Sequence, residues 1–205
     1  KNMRFRIPTD VRNAPSNIAR NNGFRALGIE KKSERDLRKA VKDLKTVYED
    51  DAVAYTEIFS THWGIGNMRP RLADAKTHFK DLHTKLEEAK KHIGHVVKLA
   101  KALEKVVPEE KGDEIKIING GKGLGQTFEE LDRQTIHTIK TLNEAIKLNV
   151  PGEDGIYSRQ SKKAIEALYV PMIHIKNKLG PAIGLIHEMF RLERDMRRAL
   201  IRSLK

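Results

Sequence analysis

From Leu72 to Val107 an apolar residue returns at alternating steps of three and four without a miss: Leu72, Ala75, Phe79, Leu82, Leu86, Ala89, Ile93, Val96, Ala100, Leu103 and Val107. That period keeps one stripe of a helix facing a neighbour over five heptads. At about 1.5 Å per residue such a helix spans roughly 50 Å. The rest of the chain must therefore supply helices of comparable length to cover it.

The flanking sequence carries them. A first helix is expected from Ser33, with Asp36 three residues on in a capping-box arrangement, to about His62. Its apolar face is Leu37, Val41, Leu44, Tyr48, Tyr55 and Ile58, and Asp51 falls on that stripe and weakens it. Trp63-Gly64-Ile65-Gly66 breaks the helix, and Pro70 suits the first turn of the next. A third helix is expected from Thr127, capped with Glu130, through Phe128, Leu131, Ile136, Ile139, Leu142 and Ile146 to a stop before Pro151-Gly152. A fourth begins near Ser158 and uses Ile165, Leu168, Met172, Ile175 and Leu179, with a kink at Pro171. Gly180-Pro181 predicts its end, and a fifth runs on through Leu185, Met189, Leu192, Met196 and Leu200.

Residues 108–127 interrupt the pattern. Ile115-Lys116-Ile117-Ile118 followed by Asn119-Gly120 is a hairpin-turn signal, but Lys122-Gly123-Leu124-Gly125 makes a poor returning strand, so a long loop is expected there. The fold class is all-α: a bundle of four to five long antiparallel helices over residues 33–205, with loops at 108–127 and 149–157. An extended basic N-terminal arm over residues 1–32, with Pro8, Pro15, Gly23 and Gly28 and no sustained period, precedes it.

Composition supports that class. In 205 residues, 39% hydrophobic and 33% charged residues with few aromatics resemble a long-helix bundle more than a sandwich. No run approaches the ~18 apolar residues of a membrane span. The absence of cysteine removes disulfides, thiolate nucleophiles and cysteine-bearing zinc sites.

The net charge of +12 becomes informative once it is located. Residues 1–32 hold eight Lys and Arg against Asp10 and Glu30, and residues 191–205 hold six against Glu193 and Asp195, which leaves only +2 for everything between. On the last helix Arg191, Arg194, Arg198 and Arg202 recur at steps of three, four and four, stacking four guanidinium groups along one side. Arginine's planar fork suits phosphate oxygens. The ordinary alternative is a solvated face partly neutralised by Glu188, Glu193 and Asp195, with cations favoured at a helix C-terminus.

Other chemistry is poorly served. Gly120-Gly121-Lys122-Gly123-Leu124-Gly125 invites a phosphate cradle, but Gly123 stands where a P-loop needs Ser or Thr. Glu88, His92 and His95 share one helix face, yet they lie among lysines that oppose a cation, and no Glu has His three residues on as di-iron bundles do. No Gly-x-Ser-x-Gly elbow is present. No catalytic residue, metal ligand or cofactor is assigned.

The expected function is non-enzymatic: a structural or assembly protein held on nucleic acid by sequence-independent phosphate contacts from Arg4, Arg6, Arg12, Arg20 and Arg25 of the arm and Arg191, Arg194, Arg198 and Arg202 of the last helix. Neighbouring subunits of a larger assembly are further expected partners. A matured protein packed inside a virion or a similar particle fits the basic ends, the lack of cysteine and a chain that begins at Lys1. The competing expectations are a scaffold whose basic ends meet an acidic protein or an anionic membrane surface, and, behind it, a metal- or nucleotide-binding enzyme.

Overall fold

A computed structural model describes residues 31–59, 66–105, 107 and 112–203. It is an all-α bundle of long helices packed together. The elements are α1 (Lys31–Phe59), α2 (Arg69–Glu104), α3 (Gly112–Leu148), α4 (Arg159–Glu166) and α5 (Tyr169–Ser203). Every residue of the Leu72–Val107 seam is buried, none more than 6% exposed. No helix among the described residues is long and apolar enough to cross a membrane.

The described residues fall into two compact units, and each draws segments from α1, α2, α3 and α5. One comprises Ala40–Ala89 and Phe128–Pro181. Within it the pairings fix an antiparallel order. Asp43 of α1 meets Lys85 of α2 at 3.8 Å while the Glu57 carbonyl accepts from Arg71. Likewise, Tyr48 lies against Gly180 of α5 while Tyr55, further along α1, lies against the earlier Tyr169. The other unit comprises the described residues of Lys1–Lys39, Lys90–Thr127 and Ala182–Lys205. There Gly120 and Gly121 of α3 meet Leu185 and Met189 of α5, and Gly121 also meets Ala100 of α2.

That close approach corrects the largest expectation. Residues 112–127, expected as loop, form the first four turns of α3. A Cβ at Gly120 would stand 2.7 Å from Leu185 Cδ2, and one at Gly121 would stand 2.9 Å from Met189 Sδ and 3.1 Å from the Ala100 methyl. The two glycines are packing positions, where a missing side chain lets other helices come close, and tertiary contact outweighs their poor helix propensity. Thr127 is accordingly mid-helix, its hydroxyl donating to the Gly123 carbonyl rather than capping a start.

Smaller shifts have similar causes. Helix α1 begins at Lys31, so Ser33 stands in its first turn and the last two residues of the expected arm are helical. The arm residues 1–30, His62 and Trp63-Gly64-Ile65 lie outside the described residues, as does the side chain of Leu200. Pro70 occupies the first turn of α2 as expected. Ser158 caps α4, accepting from the Ser161 N–H. The expected fourth helix stops at Glu166, and after Ala167-Leu168 a new helix opens with Pro171 in its first turn, where proline is tolerated. Pro181, expected to end a helix, instead lies inside α5. On α3 the buried stripe runs through Thr135 and Thr138, not through Ile136, which is exposed. Both hydroxyls donate back to carbonyls one turn earlier, Leu131 and Gln134, which satisfies them without a partner helix.

The α3–α4 connection is held by one side chain. Asn149, wholly buried, accepts from the Met68 N–H at 2.7 Å through Oδ1, and its Nδ2 donates to the Gly66 carbonyl and the Ser161 hydroxyl. The segment beyond it turns tightly, with Pro151 bridging Tyr157 and Gly155 at φ 73°.

Candidate nucleic-acid interface

Helix α5 buries Ala182, Ile183, Ile186, Met189, Phe190, Leu192 and Met196. Most of the residues between them face outward. Arg191, Arg194, Arg198 and Arg202 do so, all exposed and spaced to share one face. Arg191 binds the Glu188 carboxylate, with Nη2 at 2.6 Å and Nε at 2.9 Å, and Arg198 lies 3.9 Å from Asp195. Glu193 does not neutralise this face: it is 2% exposed and pairs with Arg197. The other expected contacts, Arg4, Arg6, Arg12, Arg20 and Arg25, lie outside the described residues.

A second basic row belongs to the same unit. Lys91, Lys98 and Lys101 of α2, with Lys105 just beyond it, are exposed at steps of seven, three and four, along one side of the helix. Arg35 and Lys39 of α1 are exposed as well, while Arg38 lies over the Phe190 ring at 4.4 Å. The described residues of this unit carry 17 Lys and Arg against 8 Asp and Glu, a surplus of nine. The Ala40–Ala89 and Phe128–Pro181 unit carries 15 against 16. By sequence order the charge excess belongs to the two chain ends; by packing it also includes the second half of α2.

The electrostatics of the nearly neutral unit are those of internal pairing. Glu130 of α3 accepts from Lys178 and His174 of α5, and the Lys178 ammonium is the main reason its carboxyl is held below the usual range. His83 Nδ1 lies 2.6 Å from Asp132 Oδ1. Tyr55, Phe59 and Tyr169 form an aromatic cluster, with Lys176 5.1 Å from the Tyr55 ring centre. Burial, reinforced by the Tyr169 hydroxyl, raises the Tyr55 phenol. Asp51 is the exception: it is 6% exposed, neither carboxyl oxygen has a hydrogen-bond partner among the described residues, and burial, with Asp50 and Asp81 adding to it, pushes its pKa up to about 9.

The glycine run cannot serve as a phosphate cradle, since it lies inside α3 with its N–H groups committed to the helix. Glu88, His92 and His95 are all half-buried on α2, and Glu88 is engaged by Lys85 at 3.4 Å. Comparison with known protein families, with curated proteins and with solved structures found no match.

Proposed function

We propose that this chain is a non-enzymatic structural or assembly protein that works against nucleic acid, binding its phosphates without regard to sequence. The observation that carries the reading is the exposed arginine row of α5 within a unit whose described residues hold a surplus of nine positive charges. Cations spaced along long helix faces match the regular anionic lattice of a nucleic-acid backbone, and guanidinium forks match its phosphate oxygens. The helices position the charges; no pocket is required. The interior of a virion or another nucleic-acid-filled particle is a setting such a protein suits.

Binding to fluorescent duplexes of several unrelated sequences at about 50 mM salt tests this. Affinities should agree within roughly threefold across sequences, and the R191Q/R194Q/R198Q/R202Q variant should bind at least tenfold more weakly, as loss of four phosphate contacts requires. Absence of binding to DNA and RNA, with binding to polyglutamate or to phosphatidylserine vesicles instead, would favour the scaffold with an acidic protein or membrane partner.

A further inference from the structure

In the Ala40–Ala89 and Phe128–Pro181 unit, three metal-ligating side chains converge from two helices. His83 and Glu87 stand one turn apart on α2 and so share a face. Asp132 comes from α3, and one ligand atom from each of the three residues lies within 4.8 Å of the other two. We propose that His83, Glu87 and Asp132 form a divalent transition-metal site, Zn2+ being the ion its donors suit best, which ties α2 to α3.

The donor chemistry is mixed in the way zinc accepts: one imidazole nitrogen through Nδ1 and two carboxylate oxygens. Two carboxylates with a neutral imidazole give a charge of −2, which a divalent ion cancels. Zinc holds such ligands at about 2.0–2.2 Å, which separates neighbouring donors by roughly 3.3 Å. The 2.6 Å between His83 Nδ1 and Asp132 Oδ1 is a hydrogen-bond distance, so metal entry replaces that hydrogen bond and moves these atoms apart by less than about 1 Å. The Asp132 side chain is only 7% exposed, whereas that of His83 is 36% exposed, which leaves a route for the ion. The nearby Lys85 is held by Asp43 and Glu88, which draws its charge away from the site. Three protein ligands leave a coordination position for water.

The site differs from Glu88, His92 and His95, where all candidates come from one helix. Here the second helix supplies the buried donor, and a bridge between helices is what makes bound metal stabilise a fold.

The test uses the full chain stripped with a chelator, then titrated with Zn2+ against a chromogenic chelator. One Zn2+ per chain is expected. Glu87→Gln and Asp132→Asn should each weaken binding at least tenfold, while His92→Gln/His95→Gln should leave it unchanged. Affinity should fall as the pH is lowered, because protons compete with the metal for its ligands. Should Asp132→Asn fail to fold by circular dichroism, Glu87→Gln alone decides. Less than one Zn2+ per chain, or equal affinity in Glu87→Gln and the parent, would overturn the site and leave His83–Asp132 a simple ion pair.

Discussion

Asp51 and Asn149 are both buried polar residues, and they face opposite situations. Asn149 has its Oδ1 and Nδ2 engaged by Met68, Gly66 and Ser161. Removing it leaves an N–H, a carbonyl and a hydroxyl without their partner, so Asn149→Ala should lower stability by about 2–4 kcal/mol, measured by urea denaturation. Asp51 has no such partners among the described residues, and its raised pKa has a definite sign in pH. The folded state keeps the proton up to about pH 9, whereas the unfolded chain releases it near the ordinary aspartate value of 3.8. Between those limits the folded state binds more protons, so stability falls as pH rises. Asp51→Asn removes that dependence: it should raise the Tm, more at pH 8 than at pH 5. Parallel Tm–pH curves for the parent and the variant would show that Asp51 is ionised in the fold. The position was legible in the sequence as a carboxylate on an apolar stripe; its depth was not, because Asp81 and the rest of its surroundings come from elsewhere in the chain.

At the scale of elements, the seam could be read from periodicity because its face is buried along its whole length, and the all-α bundle of long helices could be read with it. What could not be read was the meaning of glycine and proline. Gly120 and Gly121 look like a turn until Leu185 and Met189, more than 60 residues further on, and Ala100 of α2 are brought to them. Pro181 looks like a stop, yet α5 continues through it. The glycines of α3 make opposite predictions. A methyl group added at Gly123 or Gly125 would meet nothing within 4 Å, so Gly123→Ala and Gly125→Ala should each stabilise by up to about 1 kcal/mol through helix propensity. Gly121→Leu should destabilise by about 1–3 kcal/mol, because the added atoms meet Ala100 and Met189. Thermal melts of the three variants check both signs. The His83–Glu87–Asp132 cluster was hidden for the same reason: its i, i+4 pair is visible on α2, but Asp132 joins only when α3 packs beside it.

For the whole molecule, the arginine row of α5 was legible because helical spacing alone places Arg191, Arg194, Arg198 and Arg202 on one face. The lysine row of α2 was legible only as a polar surface; packing groups it with α5 in one basic unit. The central claim is that this unit's cations meet phosphates, and phosphate contacts leave a thermodynamic signature. Each one releases counterions and adds about −0.9 to the slope of log K against log salt on duplex DNA. The most direct measurement is that slope for the parent and for R191Q/R194Q/R198Q/R202Q on a random-sequence duplex. A steep negative slope in the parent, made shallower by about 3.6 in the variant, is the predicted result. No binding at low salt, or one slope shared by both proteins, would contradict it.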